Sequence, residues 1–150
     1  MIYQKIIELM IAQQTKLDDL LNNMKAMQKA LVNQQYKEYE LSIDNHQRIL
    51  ADIQNIEKER IKLLNSFLGN VKNFQNKNIH QLIFEKLEIK NKNEIDRYLE
   101  IRDRIAELIK DVSKYNFQNL YLIENSRKFI RDLIITLFGS KNQKLLDRKV

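Results

Sequence analysis

The sequence is short of the residues that make turns and cross-links. Its 150 residues include no proline, no cysteine and two glycines, Gly69 and Gly139. Turn-rich β folds need proline and glycine, so their scarcity favours an all-α chain. Without cysteine the chain has no disulfide bond, no thiolate zinc site and no cysteine nucleophile. Two distant glycines also exclude a glycine-rich phosphate-binding loop.

Long apolar runs are absent as well. No stretch approaches the roughly 18 apolar residues of a membrane-spanning helix, so we expect no insertion into a membrane. The first residues, MIYQKIIELMIAQQ, mix polar and apolar side chains and lack the small-residue cleavage site of a signal peptide. We therefore interpret them as helix and expect a cytoplasmic protein.

Charge of one sign is not concentrated on any predicted helical face. The chain carries 26 Lys and Arg against 20 Asp and Glu, which gives a net charge of +6. Basic residues are scattered among acidic ones, and only the segment 141–149 is densely basic, with four basic residues against Asp147. Because a nucleic-acid binder shows a basic patch or stripe, we expect no nucleic-acid partner and keep that function as the weakest alternative.

Apolar residues spaced alternately by three and four positions predict two long helices at the start of the chain. The first spans Ile2 to Val32 and has an apolar stripe wide enough to pack on two neighbours, whereas the second spans Tyr36 to Leu68. Asn33 between them is suited to the left-handed conformation that ends a helix. The apolar stripe of the second helix comprises Tyr39, Ile43, His46, Ile49, Ile53, Ile56, Arg60, Leu63 and Phe67.

Gly69 is the first strong helix stop, because the residue after a helix C-terminus is often glycine. The polar, Asn-rich segment 70–78 that follows it predicts a loop. A short helix is then expected from Ile79 to about Ile89, with apolar residues along one side.

The last predicted helix is long and runs to Phe138, with Asn93 suited to cap its start. We expect a single helical domain over residues 1–138 and a flexible basic tail over 139–150. The predicted architecture is all-α: an elongated antiparallel helical bundle or coiled coil with two long N-terminal helices, a short helix and a long C-terminal helix.

This last helix carries a seven-residue repeat, and we expect it to organise the bundle. Asn116 and Asn119 form a polar layer in the repeat, and polar residues at such positions fix the register of a bundle at a cost in stability. Hydrogen bonds from the two amides to a partner's backbone are the alternative. The predicted seam comprises Ile95, Tyr98, Arg102, Ile105, Ile109, Val112, Asn116, Asn119, Ile123, Ser126, Ile130, Leu133 and Leu137.

The faces outside this seam change character near Tyr115: they are charged before it and largely apolar after it. A helix that is apolar nearly all round is either buried on all sides or binds a partner. We predict a surface for an amphipathic client helix, with Tyr121 as a docking residue. Burial against the first helix or in a homodimer is the alternative. The predicted client-binding residues are Phe117, Leu120, Leu122, Ile123, Phe129, Ile130, Leu133, Ile134, Leu137 and Phe138.

No pattern in the chain indicates catalysis or metal binding. The two histidines, His46 and His80, lie on different predicted helices and form no metal-binding pair. His46 falls on the apolar stripe of the second helix, which favours a place in the core or at the edge of the bundle. We therefore expect no enzyme activity, no metal site and no cofactor.

Three features, taken in order along the chain, resemble a known family. The first is an Ala-Leu-Val end to the first helix, before a second helix that closes on Glu-Lys-Glu-Arg at residues 57–60. The second is a short Ile-x-x-Leu helix at residues 79–82, after the glycine-bearing loop. The third is Asn-x-x-Asn-x-x-Leu at residues 116–122, followed by SRKFI at 126–130. In this order and spacing the chain resembles the FlgN family of flagellar export chaperones over nearly its whole length.

The resemblance implies a cytosolic, all-helical chaperone without a nucleotide, a metal or a reaction. Such proteins bind the C-terminal helical segments of hook-associated proteins and keep them unassembled. They then deliver them to the export gate of the flagellar type III secretion apparatus. The family's substrate-binding part lies in the C-terminal helix. A structural coiled-coil protein that homo-oligomerises through the same helical seams is the alternative.

Overall fold

The computed structural model of the protein describes residues 2–69 and 79–138, and over these residues it contains four helices and no strand. The predicted all-α fold, with two long N-terminal helices, a short one and a long C-terminal one, is confirmed. The predicted loop 70–78 and the predicted tail 139–150 lie outside the described residues, as do the side chains at 125–130, 132–134 and 136–138. The helices are α1 Ile2–Val32, α2 Tyr36–Leu68, α3 Ile79–Lys86 and α4 Lys92–Phe138.

Helices α1 and α2 form an antiparallel pair. Near the start of α1, the Gln13 side-chain amide donates a hydrogen bond of 2.8 Å to the Glu57 carboxylate. Further along α1, the Asn23 amide donates to the backbone carbonyl of Ser42 over 2.7 Å. Rising positions on α1 thus meet falling positions on α2, as the short connection between the two helices requires.

Helix α4, in contrast, runs parallel to α1. The rings of Tyr3 and Tyr98 stack with centroids 6.5 Å apart. Further along both helices, the Asn119 amide donates to the carbonyl of Met24 over 3.2 Å. Rising positions on α1 therefore meet rising positions on α4. The predicted antiparallel packing therefore holds for α1 with α2, whereas the long connection through α3 returns the chain to run alongside α1.

The buried core is centred on α1 rather than on the longest helix, contrary to our expectation. Nine residues of α1 are buried, against two in α2. The α1 residues that contact α2 and those that contact α4 lie on different faces of the helix, so both neighbours cover it. The main buried apolar side chains are Ile6, Ile7, Met10, Leu64, Ile83 and Tyr98 in one cluster and Leu17, Leu20, Leu21 and Leu108 in the other.

The apolar stripe predicted for α2 is confirmed, because all nine of its residues are half-buried. They face α1 and leave the opposite side of α2 in solvent. The two fully buried residues of α2, Ser42 and Leu64, were not part of that stripe. Ser42 is satisfied within its own helix, since its hydroxyl donates to the carbonyl of Glu38 over 2.8 Å.

Two helices end in the same hydrogen-bonded turn. Gln34, with a φ of 57°, takes the left-handed conformation after α1, and Gln35 donates its N–H back to the carbonyl of Ala30 over 2.9 Å. This is the Schellman motif that satisfies carbonyls at a helix C-terminus. The left-handed residue is therefore Gln34, not the predicted Asn33. Glu88, with a φ of 56°, does the same after α3 and ends that helix at Lys86 rather than near Ile89.

The other two helix ends follow simple capping chemistry. Gly69 caps α2 as predicted, with a φ of 79° and its N–H donating to the carbonyl of Asn65 over 3.2 Å. At the start of α4, the side-chain oxygen of Asn91 accepts hydrogen bonds from the N–H groups of Asn93 and Glu94. The cap is therefore Asn91 rather than the predicted Asn93, which lies inside the first turn.

The face that α4 packs on α1 differs from the predicted seam in one of its two rows. The shared row, at positions 98, 105, 112 and 119, is buried or half-buried. The second predicted row is Arg102, Ile109, Asn116 and Ile123, and the second observed row is Ile101, Leu108, Tyr115 and Leu122. The two rows separate at their middle positions, where half-buried Tyr115 takes the place of exposed Asn116, whose amide stays in water. Arg102 and Ile123 are half-buried like their neighbours Ile101 and Leu122. Leu108 is completely buried, whereas Ile109 is 51% exposed.

Candidate partner-binding surface

Three large side chains in the second half of α4 project into solvent on one face. Phe117 is 73% exposed, Leu120 52% and Tyr121 60%. Positions three and four residues apart are neighbours on a helix surface, so these residues form a continuous apolar stripe. We call Phe117, Leu120 and Tyr121 the outer stripe. An apolar surface left open in this way is typical of a binding site.

The structure separates the predicted client-binding residues into three groups, and the exposed Phe117 and Leu120 are the first. Leu122 and Ile123 are half-buried, and Leu122 continues the row that packs on α1. These two residues therefore support the helix pair more than they offer a free surface. The side chains of the remaining predicted residues lie outside the described part: Phe129, Ile130, Leu133, Ile134, Leu137 and Phe138.

The outer stripe borders a groove between α4 and the end of α1. The groove has a volume of about 510 Å³. Gln28 and Gln118 tie its two sides together through a side-chain hydrogen bond of 2.9 Å. Val32, the last residue of α1, is 63% exposed beside it. The lining residues are Gln28, Val32, Phe117, Gln118, Tyr121 and Leu122.

Helix α4 continues past the end of α1. Val32 lines the groove with Tyr121 and Leu122, so α1 ends beside that part of α4. At 1.5 Å per residue, the remainder of α4 from Leu122 to Phe138 extends roughly 24 Å beyond α1. The groove therefore lies where the paired part of α4 gives way to a part without α1 beside it.

The two asparagines of the predicted polar layer have different surroundings. Asn119 is 4% exposed, and its amide nitrogen bonds to the carbonyl of Met24. Its side-chain oxygen is buried without a hydrogen-bond partner. Asn116 is exposed, so the prediction that it belongs to a buried layer is wrong. It lies on the row that the apolar residues Leu108 and Tyr115 displaced from the interface.

The first half of α4 is charged on its outer side, as the sequence predicts. Arg104 joins α4 to α1 through an ion pair with Asp18 over 3.3 Å and also contacts Glu107 over 3.2 Å. The charged residues of this half are all exposed or half-buried, so the outer surface of this half is polar. The change of character near Tyr115 is therefore also a change in what the surface can bind.

A polar cluster lies at the opposite end of the bundle, under α3. His80 Nδ1 and the Tyr98 hydroxyl share a hydrogen bond of 2.7 Å, and the Tyr98 ring meets Phe84 edge-on with centroids 5.1 Å apart. Burial raises the pKa of Tyr98 to about 12, so the phenol stays protonated. Burial, together with the charges of Arg102 and Arg60, lowers the pKa of His80. His80 and Phe84 of α3 thus contact Tyr98 of α4, and both the imidazole and the phenol are neutral in these contacts.

Glu57 and Arg60 form the charged edge of this cluster. Two hydrogen bonds of 2.9 and 2.7 Å join the guanidinium to the carboxylate. These bonds lower the pKa of Glu57, and a third one from Gln13 acts in the same direction against the effect of burial. Both charges are thus satisfied by each other, and the arrangement is that of a structural ion pair rather than an activated group.

The two histidines lie on different helices, His46 on α2 and His80 on α3. In the part of the chain that the structure describes, no three His, Asp or Glu side chains cluster in a way that could hold a metal ion. His46 is half-buried on the apolar side of α2, its Nδ1 has no hydrogen-bond partner, and burial lowers its pKa. The half-burial agrees with the predicted place in the core or at the edge of the bundle, but the buried Nδ1 is not satisfied by a hydrogen bond.

Sequence reasoning missed the contribution of α1 to the groove. Val32 was predicted as the end of α1, but neither Val32 nor Gln28 was assigned to a binding surface. A second missed feature is Lys25, whose ammonium lies 5.8 Å from the centre of the Tyr115 ring. The periodicity of each helix gives its own faces but not the register between helices, so these neighbours could not be paired from the sequence.

Comparison with family models, with curated proteins and with solved structures found no significant match. Within residues 2–69 and 79–138, no helix combines the length and the apolar character that crossing a membrane requires.

Proposed function

We propose that the protein is a chaperone that binds an amphipathic helical segment of a client protein on the outer stripe of α4. The clients that fit best are the C-terminal segments of hook-associated proteins. The chaperone would keep them from assembling and would pass them to the export gate of a flagellar type III apparatus in the cytoplasm. The sequence resemblance to the FlgN family supports the choice of client and the cellular role.

The exposure of Phe117 at 73% is the observation that carries the proposal. Burying a large apolar side chain stabilises by roughly 1.5–3 kcal/mol, and that free energy is unused while the residue lies in water. Leu120 and Tyr121 extend the same surface, at 52% and 60% exposure. Together with the groove beside Val32, they match the way an amphipathic helix docks through apolar residues at positions i, i+3, i+4 and i+7.

Substitution of the outer stripe tests the proposal. Phe117→Asp and Tyr121→Asp place a charge on a surface that is solvent-exposed in the free protein, so the fold should remain intact. Each variant should bind a client segment about tenfold or more weakly, because large aromatic residues carry much of the free energy at such interfaces. Binding is measured by calorimetry with the C-terminal segment of a hook-associated protein, and we expect a one-to-one complex with the unaltered chain.

Leu41→Asp is the matched control. Leu41 is 64% exposed on α2, so the substitution introduces the same charge at an equally exposed apolar position elsewhere. We expect it to leave client binding within about twofold, in line with the small effects of surface substitutions away from an interface. Absence of binding to every such segment, with a salt-insensitive homo-oligomer as the only species, would refute the chaperone and favour the structural coiled coil.

A further inference from the structure

We infer that a second copy of this chain covers the outer stripe when no client is bound, with the two α4 helices packed antiparallel about a two-fold axis at the level of position 119. The pairing itself goes beyond the proposed function. Its competition with a client rests on that function, because both partners would use the outer stripe. The inference follows from the position of the stripe on α4 and from the order of apolar and charged residues along it.

The outer stripe faces away from the helix on which α4 packs. Phe117 follows Leu108 by nine positions, which is about two and a half turns of an α-helix, so the two side chains project from opposite sides of α4. Leu108 is completely buried in the cluster that contains Leu17 and Leu20 of α1. Helix α1 therefore lies behind the outer stripe, and a second long helix can approach the stripe without meeting it.

Charged residues of opposite sign flank the two ends of the outer stripe. Lys114 precedes Phe117 by three positions, and Glu124 follows Tyr121 by three. Residues three positions apart are neighbours on a helix surface, so both charged side chains border the stripe. Both are exposed, and within the described part of the chain neither forms an ion pair. One end of the surface is therefore positive and the other end is negative.

This arrangement is complementary to itself when two helices run antiparallel. Position 119 is the midpoint between Phe117 and Tyr121, and it is also the midpoint between the two charged residues. A two-fold axis at this level places Phe117 of each copy opposite Tyr121 of the other. The same axis places Lys114 opposite Glu124. Apolar side chains then cover apolar side chains, and an attractive charge pair lies at each end of the contact.

Other pairings of the same two helices lose this match. A parallel pair brings like charges together at both ends of the outer stripe, and such contacts act against association. An antiparallel pair that is shifted by one helical turn places an aromatic ring against a polar side chain, because Phe117 then meets Asn125 or Tyr121 meets Ser113. The order of residues along α4 therefore favours one direction and one register.

The contact is short, which suits a partner that a client has to displace. Beyond the two charge pairs the match ends, since Lys110 falls opposite a second lysine at position 128. The matched stretch 114–124 is roughly 15 Å long at 1.5 Å per residue. A helix contact of this length buries less surface than a standard stable interface, so we expect a weak dimer that exchanges readily. The second copy would shield the outer stripe without closing it permanently.

The oligomeric state of the full chain tests the pairing. Sedimentation velocity should show a monomer–dimer equilibrium that shifts towards the dimer as the protein concentration rises. Phe117→Asp should remove the dimer, because it places a charge against an aromatic ring of the second copy. Leu41→Asp, at a 64% exposed position on α2, should leave the equilibrium unchanged. A chain that stays monomeric up to about 1 mM would overturn the inference.

Charge reversal tests the direction and the register. Lys114→Glu and Glu124→Lys each turn two attractive pairs into two repulsive ones, so each should raise the dissociation constant of the dimer about tenfold. The two substitutions combined in one chain should restore the dimer, because each new Glu then meets a new Lys of the other copy. An equimolar mixture of the two single variants should pair for the same reason.

Lys62→Glu is the control for charge reversal. It makes the same change at an exposed position on α2 and should leave the dissociation constant within about twofold of that of the unaltered chain. Far-UV circular dichroism checks that every variant keeps the helical fold. A dimer that none of the α4 substitutions weakens would lie on another face and overturn the inference. Failure of the combined variant to restore the dimer would overturn the antiparallel pairing.

A client segment tests the competition for the outer stripe. Excess C-terminal segment of a hook-associated protein should convert the dimer into a one-to-one complex of chain and client. A client that binds while the dimer persists would overturn the shared surface. If no client segment binds and the charge variants still behave as described, the proposed function fails and the pairing stands. If client segments bind and the free chain is monomeric, the pairing fails and the proposed function stands.

Discussion

At the scale of single residues, Gln34 offers a clear test of how the chain turns between α1 and α2. Its φ of 57° is left-handed, and a side chain in that conformation costs roughly 1–2 kcal/mol relative to glycine. We expect Gln34→Gly to raise the free energy of unfolding by about 0.5–1 kcal/mol, because glycine's greater freedom in the unfolded chain offsets part of the gain. Urea denaturation followed by circular dichroism measures the change.

Gln35→Gly is the control for this substitution. Gln35 is the next residue in the turn but has a φ of −91°, which any residue adopts. Here glycine only adds freedom to the unfolded chain, so stability should stay unchanged or fall. An equal gain in both variants would show that flexibility of the turn, and not the left-handed residue, limits stability.

Asn116 and Asn119 show what a repeat can reveal about single residues and what it cannot. Both occupy seam positions in the sequence, yet Asn119 is buried and Asn116 is exposed. The row that contains Leu108 and Tyr115 packs on α1 in place of the row that contains Asn116, because burying its apolar side chains stabilises the fold more. Comparing the two flanking rows by their polar content would have selected the correct one, so this error lay in the reading of the pattern and not in the pattern itself.

At the scale of helices, the attachment of α3 should depend on pH. The lowered pKa of His80 means that the folded protein binds this proton less readily than the unfolded chain. The contribution of the neutral imidazole is therefore fully present above the ordinary value of 6.5 and is lost as the pH falls below it. A protonated His80 would face Arg60 and Arg102, with Asp103 acting in the opposite direction. We expect the urea concentration at the unfolding midpoint to decrease as the pH is lowered from about 7.5 to about 5.5.

His80→Asn separates titration from structure in this prediction. The asparagine side chain keeps a polar atom close to the position of Nδ1 for the Tyr98 hydroxyl but does not titrate. Its urea midpoint should depend less on pH over the same range. Part of the slope should remain, since burial also lowers the pKa of His46. A midpoint in the unaltered protein that stays constant over this range would contradict the prediction.

Helix positions were largely predictable from the sequence, whereas helix partners were not. The bounds of α1 and α2 and the glycine cap of α2 matched, because each depends on local spacing and on a single stop residue. The direction of α4 relative to α1 depends on how the chain crosses through α3, and the spacing of apolar residues within a helix does not predict that crossing. The groove beside Val32 combines two helices more than 80 positions apart, so only its α4 half could be anticipated.

At the scale of the molecule, α1 is the helix on which both α2 and α4 pack. It contacts α2 along one face and α4 along another, and the cluster around Leu17, Leu20 and Leu21 receives side chains from both. The face of α4 that bears the outer stripe is thereby left free. This division lets one end of α4 serve as a scaffold while the other keeps an apolar surface open, as the proposed function requires.

The same arrangement predicts that the bundle unfolds as one unit. Leu20 is 3% exposed and belongs to the cluster on which Ile53 of α2 and Val112 of α4 pack, so Leu20→Ala should weaken both interfaces at once. We expect the free energy of unfolding to fall by about 2–4 kcal/mol. Unfolding in urea should remain a single transition, with the same midpoint in far-UV circular dichroism and in the near-UV signal of tyrosine. Leu41→Ala, at a 64% exposed position on α2, should cost less than about 0.5 kcal/mol. Two separate transitions in the Leu20 variant would contradict the prediction, since they would show that α2 and α4 do not share α1 as a common core.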